Sequence, residues 1–111
     1  MARGTPGGFE LLVLLALIRL GDDDAYGVPI SQAIEASSGR PVSIGSIYIT
    51  LDRLEHKGLV SSRLGEPTAA RGGRAKTYFR ITAKGLRAVR QARRTLISLW
   101  QGVPQLERGS V

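Results

Sequence analysis

The sequence contains no cysteine and only one histidine, His56. Disulfide bonds, zinc-thiolate sites and cysteine nucleophiles are therefore excluded, and a lone histidine near a helix end is a poor basis for catalysis or metal binding. Aromatic residues make up only 5% of the 111 residues, so aliphatic side chains must form most of the core. This shortage of reactive groups is typical of a binding protein rather than an enzyme, and we expect neither a cofactor nor a metal.

Long hydrophobic runs are also missing. The run Leu11–Ile18 is well short of the about 20 residues needed to span a bilayer. Glu10 and Arg19 bound it, and the acidic Asp22–Asp24 follows without a small-residue cleavage site, which argues against a signal peptide. A buried helix is the preferred interpretation, with a cytoplasmic location and no membrane contact. The three aspartates lack the alternating spacing of a calcium loop, so we expect them to face solvent.

Acidic side chains become scarce in the second part of the chain. Residues 1–39 carry a net charge of −3 and residues 40–111 carry +10, within a total of +7 and a pI near 10.8. From Arg71 to Arg94 there are nine Lys or Arg residues and no acid. Such a concentrated positive field attracts polyanions, either nucleic acid or acidic lipid, and we expect this part to face one.

The pattern of apolar residues and caps predicts one mainly α domain with a small β-hairpin. Ser43 and Thr82 are the expected N-caps of the third and fourth helices. The predicted helices cover residues 9–20, 28–37, 44–57 and 82–101, and the predicted strands cover residues 59–64 and 76–81. This order, three helices, a hairpin and a further helix, is that of a winged helix-turn-helix. The chain is thus divided into a flexible start (1–8), a DNA-binding domain (9–81), a dimerisation helix (82–103) and a flexible tail (104–111).

The third predicted helix has two distinct faces. Ile44, Ile47, Leu51 and Leu54 recur at three- and four-residue spacing and should form its buried face. From the helix alone, the opposite face is equally consistent with plain solvent exposure and with DNA contact; the basic hairpin loop favours DNA. The candidate DNA-binding residues are Ser43, Gly45, Ser46, Tyr48, Ile49, Thr50, Asp52, Arg53, Arg71, Arg74 and Lys76.

These candidates suit different parts of DNA. The small residues from Ser43 to Ser46 allow the helix N-terminus to approach phosphate closely. Ile49 suits a thymine methyl, Asp52 a cytosine amine, and Ser46 either kind of base edge. Tyr48 and Thr50 flank the buried face, so they suit phosphate contacts better than base contacts. Arg71, Arg74 and Lys76 on the hairpin loop can follow the backbone or enter the minor groove.

Two helices carry more apolar surface than one small domain can cover. The first is apolar almost all round, and the fourth has the seam spacing of a helix that packs along another helix. The opposite side of the fourth helix carries Arg87, Arg90 and Arg94, which we expect to be a solvated basic stripe. We therefore predict a homodimer with an interface that contains Leu11, Leu14, Leu15, Ile18, Val89, Leu96, Leu99 and Trp100.

Several separate blocks resemble the PadR family of bacterial transcriptional regulators. They are Tyr26-Gly27, the segment Ile47–Glu55, Gly58-Leu59-Val60, the segment Gly72–Thr82 and Gly85. The resemblance spans about residues 10–100, and the short chain resembles the subgroup without an added C-terminal helical domain. It implies a winged-helix regulator of transcription that acts on double-stranded DNA as a dimer, and a phosphate contact for Tyr48.

The chain departs from the family pattern on the outward face of the third helix. The family usually has proline where this chain has Ile49, and many members have a basic residue in place of Asp52. Because both positions should face DNA, they are expected to change which operator is read.

Some relatives bind planar aromatic effectors beside a tryptophan of the fourth helix. This leaves two interpretations of Trp100. Packing across the dimer is favoured, because Trp100 lies about one turn later than the tryptophan of such relatives. The other interpretation is contact with a small aromatic effector, together with Leu96.

The function predicted from the sequence is sequence-specific repression of transcription by a homodimer on a pseudo-palindromic operator. The alternative is a winged-helix module for protein partners, with DNA binding lost or non-specific, and Asp52 on the outward face keeps that alternative open. No constellation of residues suggests catalysis.

Overall fold

A computed structural model of the protein describes residues 6–66 and 76–107. It contains the helices α1 (Gly8–Leu20), α2 (Gly27–Ser38), α3 (Ile44–His56), α4 (Ala83–Trp100) and α5 (Pro104–Glu107), and the strands β1 (Val60–Leu64) and β2 (Thr77–Ile81). The mainly α fold with one antiparallel hairpin is therefore confirmed, and element ends differ from the predicted ones by only one or two residues. One difference lies in the tail predicted to be flexible, where Pro104 begins the short helix α5.

Helices α1, α2 and α3 pack around an aliphatic core that the hairpin closes at one end. Leu14 from α1, Ile30 from α2 and Leu51 from α3 are fully buried, and Phe79 closes the core from β2. The remaining buried apolar residues are Val13, Ala16, Leu17, Ala25, Ile34, Ile47, Leu54, Leu59 and Val60. The predicted burial of the α3 core face is wrong for one residue, Ile44, which lies at the first turn of the helix and is exposed.

Both predicted N-caps are confirmed by hydrogen bonds. The Ser43 hydroxyl accepts a bond from the Ser46 amide at 3.1 Å, and the Thr82 hydroxyl accepts one from the Gly85 amide at 3.0 Å. Each cap satisfies an amide that the helix itself leaves without a partner. These two bonds fix where α3 and α4 begin.

A partly buried ion pair joins the start of α1 to the end of α3. The Glu10 carboxylate accepts hydrogen bonds from Lys57 Nζ at 2.9 Å and 3.1 Å, and from the Gly7 amide at 2.9 Å. Burial alone would raise the pKa of Glu10, but the bonds from Lys57 and Gly7 outweigh it and lower that pKa below its usual 4.5. Glu10 is thus ionised at neutral pH and holds the two helix ends together.

Helix α4 leaves the core after its first turns. Gly85 is buried against the carbonyl oxygen of Leu59, and a Cβ at this position would collide with that oxygen. Ala88 and Val89 still pack on the core, whereas Leu96 and Leu99 further along are exposed. None of the helices in the described ranges is both long and apolar enough to cross a membrane.

Candidate nucleic-acid interface

The outward face of α3 is a continuous exposed surface. Ser46, Ile49, Asp52 and Arg53 are all exposed, with Ile49 63% accessible. The hydrophobic and hydrogen-bonding groups of this face are therefore free to meet base edges in a major groove. Ser43 and Gly45, which precede them at the helix N-terminus, are exposed as well.

Thr50 does not belong to this face. Its relative exposure is only 4%, so the prediction that it contacts DNA is wrong. Helical periodicity places Thr50 at the edge of the buried face, but the chain that leads into α3 and the start of α1 cover that edge. Pro41, Val42 and Phe9 line the groove into which Thr50 and Ile49 open.

Tyr48 is positioned by a glycine of another helix. A Cβ on Gly27, the first residue of α2, would lie 2.7 Å from the Tyr48 hydroxyl oxygen, so the phenol occupies the space that a side chain would fill. The ring is tilted against Phe79, with 6.3 Å between centroids. The phenol hydroxyl thereby lies beside the start of α2, where backbone amides lack helical partners. In the sequence Tyr26-Gly27 is only a family block, and this contact gives Gly27 a physical role.

The end of the outward face carries a polar pair. His56 Nδ1 lies 2.8 Å from the Asp52 carbonyl oxygen and 3.7 Å from its carboxylate. The backbone hydrogen bond and then the Asp52 charge raise the pKa of His56 above its usual 6.5. When His56 is protonated, its charge offsets the negative charge of Asp52 on this face.

The hairpin forms a wing beside α3. Its strands pair in antiparallel register from Val60 with Ile81 to Leu64 with Thr77. Lys76, at the base of the loop, lies with its Nζ 4.0 Å over the ring of Tyr26. Arg71 and Arg74, the other predicted cations of the wing, lie outside the described residues.

The acidic turn between α1 and α2 is not simply solvent-facing. Asp22, Asp23 and Asp24 are exposed as expected, and Asp22 in addition forms an ion pair with Arg80 of β2 at 2.6 Å. Both partners of this pair are exposed, and it raises the pKa of Arg80, chiefly through the hydrogen bonds to the Asp22 carboxylate. Asp22 and Arg80 are 58 positions apart, so no local pattern in the sequence could have paired them.

The predicted dimer-interface residues divide into three groups, which are exposed, partly covered and fully enclosed. Leu15 and Ile18 on α1 and Leu96, Leu99 and Trp100 on α4 are exposed apolar side chains, and Leu12 of α1 joins them. Leu11 and Val89 are partly covered within the chain.

Leu14 is fully enclosed by the core, so the prediction that it meets a second copy is wrong. It lies on the opposite side of α1 from the exposed leucines. An almost uniformly apolar helix gives no sequence signal for which side faces inward.

Comparison with known proteins supports a regulator of transcription. Residues 14–91 match the transcriptional regulator PadR-like family. The chain belongs to the PadR family. PadR proteins regulate transcription and are not enzymes, and DNA binding is the basis of that regulation.

Solved structures of transcriptional regulators resemble the chain over most of its length. A PadR family transcriptional regulator from Eggerthella lenta is 29% identical, with 89% of this chain and 83% of that chain covered and a TM-score of 0.66. A transcriptional regulator from Clostridium thermocellum is 26% identical, with 86% and 89% covered and a TM-score of 0.69. A PadR family regulator from Clostridium difficile shares the fold at a TM-score of 0.73, with 21% identity and 89% and 97% covered. Among curated proteins, none matches the sequence significantly.

Proposed function

We propose that this PadR protein is a cytoplasmic, homodimeric repressor that binds a pseudo-palindromic operator. The observation that carries the proposal is the exposed outward face of α3, which presents Ser46, Ile49, Asp52 and Arg53 beside a basic wing. A helix with this exposure fits the major groove, and a neighbouring wing fits the flanking backbone. Occupation of a promoter by such a dimer would block transcription.

The proposed contacts divide between reading and positioning. Ile49 and Asp52 are proposed to read bases, with Ser46 as a further hydrogen-bonding group. Ser43, Gly45, Tyr48 and Arg53 are proposed to contact phosphates around the helix N-terminus and its flanks, together with Arg71, Arg74 and Lys76 of the wing. Because Lys76 already lies over Tyr26, we expect it to act at the base of the wing.

Dimerisation is supported by apolar surface that the chain itself leaves uncovered. Leu15 and Ile18 of α1 border a groove between α1 and α2, and Leu99 of α4 is 70% exposed. Apolar side chains of this size and number at helical spacing are typical of a helix that packs on a partner. A second copy of the chain is the proposed partner.

A small aromatic effector at the dimer interface is the third element of the proposal. Trp100 and Leu96 are both exposed on α4 and could bind such a ligand once a second copy encloses them. Trp100 is the only tryptophan in the sequence, so its fluorescence reports this site alone. Quenching by planar aromatic compounds at micromolar concentration would support the effector; no change across a chemically varied set would contradict it.

The test of the proposed function is a binding titration with two DNAs at moderate salt. One is the region upstream of the protein's own gene and the other is DNA of the same length and base composition in random order. We expect the upstream DNA to bind at least ~1,000-fold more tightly, the lower end for specific recognition. Equal affinity for both DNAs would contradict specific repression.

Asp52 favours one other function. Its carboxylate side chain is 73% exposed in the middle of a face that should meet a polyanion, which suits a protein partner better than phosphate. A winged-helix module for protein partners would bind DNA weakly and without preference. For such a module, Arg74→Ala with Lys76→Ala would leave partner binding unchanged. For a sequence-specific DNA-binding protein, the same substitutions would weaken DNA binding. They would also lower the slope of log affinity against log salt concentration by about one unit per lost phosphate contact.

A further inference from the structure

The hairpin buries few of its own side chains, so little apolar packing holds it in place. Only Val60, at the core end of β1, and Phe79, in the middle of β2, are buried. An isolated two-stranded hairpin is at best marginally stable in water. The outer half of the wing must therefore be held by contacts with another part of the molecule.

Polar contacts supply part of that support from the turn before α2. Arg80 of β2 binds the Asp22 carboxylate as a fork, with Nη2 at 2.6 Å and Nε at 3.3 Å. Arg63 of β1 donates from its Nη2 to the Asp22 carbonyl oxygen at 3.1 Å. A single residue of the turn thus binds one arginine from each strand of the hairpin.

Aromatic and backbone contacts extend the same attachment. The ring of Tyr26 meets the ring of Tyr78 edge-on, with 5.3 Å between centroids. Lys76 covers Tyr26 and Arg63 lies 4.7 Å over Tyr78, so two cations flank the aromatic pair. The Phe79 amide donates to the carbonyl oxygen of Ala25 at 2.8 Å, which ties the backbone of β2 to the turn.

We propose that Asp22 and Tyr26 are positioning residues for DNA binding, and that they fix the angle of the wing relative to α3. The proposal rests on the proposed function and adds two residues to it that do not themselves contact DNA. It also assigns Arg63 and Arg80 to the attachment of the wing rather than to phosphate. The phosphate contacts of the wing then fall to the cations already proposed for it, Arg71, Arg74 and Lys76.

Asp22→Asn and Asp23→Asn form a matched pair for testing the ion pair. Both remove one negative charge at neighbouring positions, so long-range attraction for DNA rises equally in both. The Asp23 carboxylate makes no hydrogen bond or ion pair with any residue in the ranges 6–66 and 76–107. A difference between the two variants therefore reports the attachment alone.

Tyr26→Phe and Tyr26→Leu form the second pair. Phenylalanine keeps the ring for Tyr78 and Lys76, whereas leucine keeps only apolar volume. We expect Tyr26→Phe to bind DNA like the wild-type protein and Tyr26→Leu to bind several-fold more weakly. Equal binding by the two variants would show that the ring has no positioning role. Thermal unfolding of each variant verifies that the folded fraction is the same at the assay temperature.

The decisive measurement is the affinity for the upstream DNA as a function of salt. We expect Asp22→Asn to bind about three- to fivefold more weakly than Asp23→Asn, the size expected for losing an exposed ion pair. The slope of log affinity against log salt concentration should be shallower by about one unit, because a displaced wing loses phosphate contact. A merely unstable protein would lose active fraction without changing that slope. Equal affinities and slopes, or tighter binding by Asp22→Asn, would overturn the proposal.

Hydrogen exchange on the free protein separates this proposal from the proposed function. If wild-type protein shows no preference for the upstream DNA, the function proposed above fails. The attachment is then judged from the amides of Arg63 and Phe79. Faster exchange at these amides in Asp22→Asn than in Asp23→Asn supports a held wing, and equal exchange rates contradict it.

Discussion

The packed head of the molecule and the outer half of α4 differ in how far their apolar side chains are buried. In the head, formed by α1 to α3 and the hairpin, Leu51 and Leu54 are fully enclosed by their own chain. In the outer half of α4, the same residue type is exposed at Leu96 and Leu99. The apolar side chains of the head are covered by one chain, whereas those of the outer half of α4 are left exposed, and a second copy is their proposed cover.

The difference between these regions follows from where α4 is attached. Its first turns are fixed to Leu59, the residue before β1, through Gly85 and to the core through Val89, and the helix then leaves the head. The head therefore carries the surface that should meet DNA, and the outer half of α4 carries the surface that should meet a partner. The proposed recognition surface and the proposed assembly surface thus lie in separate parts of the molecule.

The largest effect is expected from a charge placed on the outer half of α4. Leu99→Asp would bury an unpaired carboxylate from each copy in the proposed dimer, which costs about 4 kcal/mol and weakens the dimer ~1,000-fold. Unfolding of the head should be unchanged. Sedimentation equilibrium measures the dimer constant. Gln91→Glu adds the same charge at an exposed polar position and should leave the dimer intact. Equal dissociation constants for the two variants would contradict a dimer interface at the outer half of α4.

The next effect is expected where α4 joins the head. Gly85→Ala should lower the free energy of unfolding by about 3 kcal/mol, because its Cβ would displace the Leu59 carbonyl. Gly45→Ala is the matched control: no atom lies within 4 Å of the position that its Cβ would take, and alanine should stabilise α3 by up to about 1 kcal/mol. Urea unfolding measures both. Similar stability of the two variants would contradict the close packing at Gly85.

A smaller effect tests whether the head carries the DNA surface. Gly27→Ala should displace the Tyr48 phenol, since the added Cβ would lie 2.7 Å from its hydroxyl oxygen. DNA affinity should fall about tenfold, the scale of one hydrogen bond to a charged group, while thermal stability changes little. Val28→Ala at the next, exposed position serves as the control. Unchanged DNA affinity in Gly27→Ala would show that Tyr48 does not contact DNA.

The smallest effect is a pH dependence on the outward face of α3. The pKa of His56 is raised above 6.5 by its bond to the Asp52 carbonyl and by the Asp52 charge. A raised pKa means that this contribution to stability is complete below about pH 6.5 and is lost as pH rises through the folded-state value. NMR titration of the imidazole measures the pKa. Asp52→Asn should lower it while the backbone bond remains, and a value at or below 6.5 in the wild-type protein would refute the pairing.

Local signals in the sequence predicted most of the fold. The order of elements follows from apolar periodicity, and hydroxyl side chains at Ser43 and Thr82 mark the starts of α3 and α4. Periodicity gives an angle around a helix but not the neighbours on each side. For that reason it assigns Thr50, Leu14 and Ile44 to the wrong side of the boundary between buried and exposed.

The candidate site was predicted less completely than the fold. The outward residues Ile49, Asp52 and Arg53 are exposed as expected, because they lie opposite the buried face of a single helix. The contacts of Asp22 with Arg80 and of Gly27 with Tyr48 were missed, since each joins segments that only the tertiary fold brings together. These long-range contacts determine where the wing and the phenol lie.

The central claim is that the head reads a half-site and α4 joins two heads. Selection of bound sequences from a random DNA pool by the wild-type protein tests it most directly. We expect enriched sequences with two inverted half-sites whose centres are about 10 base pairs, or a multiple of this, apart. Leu99→Asp should lose the paired arrangement. Enrichment of one unrepeated motif by the wild-type protein, or no enrichment, would show that the protein does not read an operator through two joined heads.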